Sequence, residues 1–151
     1  MRKLNATNED IFKFTEMARK VNFFSQMTVG QLEKIYSFVM LFEYRKGDKI
    51  CKQGDAGDAF YIVNTGLLGV SVKTGFFSSK RVAGLKPGDF FGEMALLDGS
   101  PRTATVAAEE DSTVFVLLAE HFNEVAQSSP EFTAYMKSLA AARKFEQNHK
   151  Q

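Results

Sequence analysis

Between Phe91 and Val106 the chain reads FGEMALLDGSPRTATV, and this stretch concentrates side chains able to hold a small polar ligand. Glu93 offers a carboxylate with two acceptor oxygens, and Arg102 offers a planar guanidinium that can donate in parallel to the oxygens of an anion. Gly92, Ala95 and Ala104 are small enough to let a ligand approach the backbone. The run around Met94, Ala95 and Leu96 suits a short helix, whose first turn carries N–H donors and a partial positive charge. Together these residues describe a pocket for a small anion bearing a sugar hydroxyl.

Other chemistries find less support. The two histidines, His121 and His149, fall in expected helices far apart in sequence, with no strand-borne His and carboxylate cluster at metal-ligand spacing. Cys51 is the one cysteine, so it makes no internal disulfide, and its KIC setting reads as a small buried hydrophobe. Glu93 with Asp98 or Asp89 is not a recognisable acid–base pair. No enzyme, metal or cofactor is therefore expected. A net charge of +1 leaves no electrostatic footprint for nucleic acid or for an anionic membrane. No apolar run approaches the ~18 residues of a membrane span, and the opening MRKLNATNED has no apolar signal region, so a cytoplasmic address is expected.

The elements that must position the pocket can be read from periodicity. A chain of 151 residues suits one domain with one sizeable core. From Asn8 to Lys20 the residues Ile11, Phe12, Phe14, Met17 and Ala18 repeat at helical spacing, with Asn8 as the expected cap. Thr28 is expected to cap a second helix carrying Val29, Leu32, Ile35, Tyr36 and Val39. Beyond Leu41 come the short runs LFEY, KIC, AFYIV, LLGVSV, RVAGL, TATVAA and TVFVLL, separated by Gly, Asp, Asn and Pro turns too short for intervening helices. That pattern predicts an antiparallel sandwich or jelly roll, and with the helices an α+β fold. Helical spacing returns over His121 to Ala126. A last helix is predicted from Pro130 toward Gln147, with Phe132, Tyr135, Met136, Leu139 and Ala140 as its stripe and Arg143 and Lys144 near its end.

The segments FGE, ALL and PR-x-A-x-V occur in this order and spacing, behind Lys52-Gln53-Gly54-Asp55 and Phe60-Tyr61. In this the chain resembles the cyclic nucleotide-binding domains of cyclic AMP receptors, protein kinase regulatory subunits and cyclic nucleotide-gated channels, over roughly Phe23 to Arg143. The resemblance implies an N-terminal helical segment at 1–40, a β-roll at 41–118 enclosing a phosphate-binding cassette at 91–104, and C-terminal helices at 119–151. By matching position it implies that Arg102 meets the phosphate, that the amides near Ala95 and Thr103 complete the anion cradle, and that Glu93, beside Gly92, takes the ribose 2′-hydroxyl. Val70, Val72, Val82, Phe91 and Met94 are candidate base contacts. Tyr135, Met136, Leu139 and Arg143 are candidates for a lid from the last helix.

The Thr103 hydroxyl is compatible with cyclic AMP or cyclic GMP, and cyclic AMP is the preferred reading. The implied function is a non-enzymatic sensor whose terminal helices rearrange and act on an effector protein. Because the sequence begins with Met1, a stand-alone sensor is expected rather than a regulatory piece of a channel or kinase. A monomer and a homodimer through the terminal helices both suit the last stripe. Direct DNA binding is not expected, and the presence of both Glu93 and Arg102 argues against a degenerate domain that has lost its ligand.

Overall fold

The computed structural model describes residues 1–149, with 22, 23 and 143–149 described as backbone alone. The elements in order are β1 (Arg2–Leu4), α1 (Asn8–Ala18), α2 (Asn22–Ser25), α3 (Val29–Phe38), β2 (Met40–Tyr44), β3 (Lys49–Cys51), β4 (Ala59–Thr65) and β5 (Leu68–Lys73). There follow β6 (Ser79–Leu85), β7 (Phe90–Phe91), α4 (Glu93–Leu97), β8 (Thr105–Ala108), β9 (Ser112–Leu118), α5 (Ala119–Ala126) and α6 (Pro130–His149). One sheet runs β1-β2-β9-β4-β7 and the other β3-β8-β5-β6, with every pairing antiparallel. No helix among the described residues is long and apolar enough to cross a membrane.

The unbroken apolar runs of β4 and β9 have a simple cause: both faces of the larger sheet are covered. Ala59, Tyr61 and Val63 of β4 and Val114 and Val116 of β9 join Cys51, Leu68, Val106 and Ala108 between the sheets. The alternate residues Phe60, Ile62, Phe115 and Leu117 face the helices, packing with Phe14, Phe24, Ile35, Leu96, Phe122 and Phe132. Period-two alternation thus feeds two cores from one strand. Phe14 meets Phe115 edge to face at 5.4 Å and Phe24 meets Phe60 likewise at 5.6 Å, so aromatic pairs bind α1 and α2 to the sheet.

Several boundaries differ from the sequence expectation. Thr7, not Asn8, caps α1: its hydroxyl accepts from the Asp10 N–H at 3.2 Å while the Asp10 carboxylate accepts from the Thr7 N–H at 2.9 Å. An aspartate three residues after the cap closes this reciprocal box, which Asn8 could not do. Thr28 and Gln31 form the same box on α3, as expected. The N-terminal segment is not wholly helical, because Arg2–Leu4 pairs with β2 as an edge strand too short and too charged to show a period. Strand β7 and helix α2 escaped notice for the same reason, being two and four residues long.

Candidate functional site

Strand β7 is held on β4 by the Tyr61–Phe91 register pair, whose rings stack at 4.6 Å and 10°. Gly92 then turns the chain at φ 81° into α4, which is anchored by buried Ala95 and Leu96. A side chain at 92 would be strained by that backbone and would also collide with its surroundings. A Cβ there would lie 2.5 Å from Arg102 Nη1 and 2.6 Å from the Ala59 carbonyl oxygen.

On the far side of α4 the chain is clamped by the turn at 52–55. The Gly54 N–H donates to the Arg102 carbonyl and the Arg102 N–H donates to the Asp55 carbonyl, both at 2.8 Å. Asp55 also accepts from the Lys52 N–H at 3.1 Å, and the Gln53 N–H donates to Thr105 Oγ1 at 3.0 Å. Gly57 lies so close to the Ser100 carbonyl that a Cβ would overlap it. The turn between β3 and β4 therefore fixes the backbone from which Arg102 projects.

Arg102 is the notable charge. Its side chain is only 7% exposed, and the carboxylate it pairs with among the described residues is Asp58 at 4.0 Å, itself 77% exposed. Nη2 donates to the Ala59 carbonyl at 2.6 Å, and the guanidinium carbon lies 5.4 Å from the centroid of the Tyr61 ring. The Tyr61 hydroxyl is a further hydrogen-bonding partner, but among the described residues the charge itself is offset only by a distant, solvated carboxylate, a state that favours an incoming anion.

Arg102 lines a cavity of about 350 Å³ with Gly92, Glu93, Met94, Ala95, Thr103 and Ala104. Cys51, Val70, Leu85, Phe91 and Val106 supply apolar wall from the sheets, a small-ligand site by size and composition. Of the residues expected around a ligand, Glu93, Arg102, Gly92, Ala95, Thr103, Val70, Phe91 and Met94 are thus brought together.

Others are placed elsewhere. Val72 is not in the lining, and Val82 is the extra residue of a β-bulge: Val70 faces Ala83 while Ser71 faces Arg81, leaving Val82 unpaired and 52% exposed. The Ala95 N–H is not an open donor, since it donates to the Gly92 carbonyl at 3.0 Å. Met136 is buried with Phe132 in the helical core, and Tyr135 and Leu139 pack against the same cluster. Helix α6 lies on α4 and α5, and none of Tyr135, Met136 and Leu139 lines the cavity. Arg143 sits on α6 with its side chain outside the described residues.

Sequence reasoning missed Cys51, Leu85 and Val106 as cavity wall and the Ala59 carbonyl as the Arg102 acceptor. The Gly54-Asp55 turn was the one available signal for the clamp. Among the described residues no group of three or more His, Cys, Asp or Glu side chains is placed to hold a metal ion.

Burial pushes the Cys51 thiol and the Tyr61 and Tyr44 phenols above their ordinary values, with the Arg102 charge acting in the opposite sense on the first two. An acid whose folded pKa is raised contributes its stability fully below the unfolded pKa and loses it as the pH climbs through the folded value. Stability is therefore expected to fall from about pH 9, the ordinary thiol value, with the phenols following from about 10. Melting temperatures of Cys51→Ala across this range should fall less steeply at the start; an unaltered slope would count against the thiol.

A family model described as "Cyclic nucleotide-binding domain" matches residues 41–129. The cGMP-dependent protein kinase of Toxoplasma gondii is 39% identical over 90 residues, which are 60% of this chain and 9% of that one. The cAMP-dependent protein kinase regulatory subunit of Dictyostelium discoideum is 36% identical over 94 residues, 62% of this chain and 29% of that one. The chain thus spans less than a third of either curated relative. Among solved structures, cAMP-bound PfPKA-R aligns with a TM-score of 0.74 at 25% identity, covering 82% of this chain and 44% of that one. With the antiparallel roll, the glycine-capped α4 and the shielded guanidinium already in place, the match over most of the sheets leaves no ambiguity: the chain belongs to the cyclic nucleotide-binding domain family.

Proposed function

We propose that this chain is a non-enzymatic sensor of a cyclic nucleotide, with cyclic AMP preferred over cyclic GMP. The observation that carries the reading is Arg102, a shielded and undercompensated guanidinium facing the same cavity as Glu93. A cyclic phosphate carries one negative charge over two exocyclic oxygens, which a guanidinium can meet in parallel. Glu93 then accepts from the ribose 2′-hydroxyl, and the base rests on Val70 with Leu85, Met94 and Phe91 nearby. Thr103, exposed at the cavity rim, is available to phosphate or base.

The output is a change in how α6 sits on α4. A ligand shifts such an equilibrium only through different affinities for its two states. Because α6 packs on the cassette helix itself, tightening of α4 around phosphate alters the surface that α6 occupies. Movement of α6 toward the cavity mouth, carrying Tyr135, Leu139 or Arg143 over the base, requires Phe132 and Met136 to leave the helical core, at a cost of about 1.5–3 kcal/mol each. That cost makes the resting position stable and the response dependent on ligand. The effector is a separate protein or a further part of a larger kinase or channel; the second arrangement is favoured by the small share of each curated relative that the chain spans. A cytoplasmic address belongs to the same proposal.

Thermal melts supply the test. Cyclic AMP in excess of its Kd should raise the melting temperature, cyclic GMP less so, and linear adenosine monophosphate little. In the same assay Glu93→Gln should retain most of the shift, because an amide oxygen still accepts from the ribose hydroxyl and the loss is about 1 kcal/mol. No shift with either cyclic nucleotide would remove the reading.

A further inference from the structure

From Gly66 to Gly88 the chain carries Lys73, Lys80, Arg81 and Lys86 and no carboxylate, a local excess concealed by the chain-wide charge of +1. Much of this stretch is the β5–β6 hairpin. Its last two register pairs, Val72 with Lys80 and Lys73 with Ser79, lie beyond the final pairing of β5 with β8 at Ser71 and Thr105, so the ribbon projects past its sheet. The Thr74 N–H donates to the Ser78 carbonyl at 3.0 Å, and the two hydroxyls meet at 2.9 Å. Gly75, Phe76 and Phe77 are thereby held as a closed tip.

Phe76 and Phe77 are 98% and 102% exposed, above every other exposed large hydrophobic among the described residues. Their rings lie 6.2 Å apart and form one apolar cap. Fully solvated neighbouring phenylalanines oppose the hydrophobic effect unless something covers them. Arg81 is engaged by Glu109 through two hydrogen bonds at 2.9 and 2.8 Å, and Lys86 pairs with Asp89 at 3.9 Å. Lys73 and Lys80 are exposed and, lying in adjacent register pairs, point to opposite faces of the ribbon. Cations therefore stand on both sides of an apolar tip.

We infer that the β5–β6 hairpin is a reversible docking device for an anionic lipid bilayer, with Phe76 and Phe77 entering the interfacial zone and Lys73 and Lys80 resting at the headgroups. The charge arrangement selects this occupant. A fluid surface closes around a narrow protrusion and offers negative charge to both faces of the ribbon at once, which a protein groove with a single charged rim does not. Two rings and two lysines give weak attachment, of the reversible kind that needs more than one signal. This inference stands independently of nucleotide binding.

The test is co-sedimentation of the full chain with phosphatidylcholine vesicles containing phosphatidylserine, against phosphatidylcholine alone. Binding is expected only to the anionic vesicles. The double variant Phe76→Ser, Phe77→Ser should lower partitioning on the order of a hundredfold, and Lys73→Glu, Lys80→Glu by at least roughly tenfold. Phe12→Ser, another exposed phenylalanine, should change nothing. All these positions are exposed, and unchanged melting temperatures verify folding. The chain has no tryptophan, so Phe76→Trp provides a single reporter whose emission should shift to the blue and be quenched by brominated acyl chains. Equal binding to neutral and anionic vesicles, or a reporter insensitive to vesicles, would overturn the inference. So would capture of a protein partner that depends on Phe76 and Phe77 while vesicle binding is absent.

Discussion

Arg102→Ala is expected to weaken cyclic nucleotide binding by about 2–5 kcal/mol, the loss typical of truncating one partner of a desolvated charge pair. The free protein should suffer less than the complex. The guanidinium is 7% exposed and, among the described residues, its paired carboxylate lies 4.0 Å away, so its removal also relieves a charge that is poorly compensated. What the free protein loses is the hydrogen bond to the Ala59 carbonyl and the hydrogen bond and packing with Tyr61. Arg102→Lys should recover only part of the affinity, because an ammonium supplies charge without the planar fork. Paired calorimetric titrations and thermal melts separate these effects. Equal losses of stability and affinity would indicate a structural arginine.

Gly92→Ala should have the second large effect, and for two separable reasons. At φ 81° an L side chain costs about 1–2 kcal/mol in backbone strain. The new methyl would also press on Arg102 Nη1 at 2.5 Å and on the Ala59 carbonyl at 2.6 Å, displacing the guanidinium and its acceptor together. Thermal stability should therefore fall by about 1–3 kcal/mol, and nucleotide affinity should approach that of Arg102→Ala. Since both substitutions act through one group, the double variant should lose little more affinity than Arg102→Ala alone. Fully additive losses would show that Gly92 acts on the ligand by another route.

The parts of the molecule legible in the sequence were those written in local patterns. The Thr28 cap, the turn residues and the short apolar runs of β4 and β9 announced the roll and its flanking helices, and the order of FGE, ALL and PR announced the family. What escaped was set by tertiary register or by backbone. The Ala59 carbonyl that holds Arg102 has no side-chain signature. Val82 lost its expected place because a single bulge shifts everything after it to the other face, and no residue type in RVAGL marks that bulge. Cys51 was read correctly as buried, yet its position at the cavity wall depends on the β3–β8 pairing across a distance the sequence does not express. The last helix presented one stripe for two destinations. Phe132 and Met136 are spent on the helical core, so the proposed lid would compete with the core for the same face.

That competition makes calorimetry of the purified chain the most direct test of the central claim that this cavity holds a cyclic nucleotide through Arg102. Cyclic AMP and cyclic GMP would be titrated in parallel into nucleotide-free protein and into Arg102→Ala. The account predicts saturable binding at one site per chain, tighter for cyclic AMP, and lost or greatly weakened in the variant. Absence of binding in the unaltered chain, or affinity unchanged in Arg102→Ala, would contradict it.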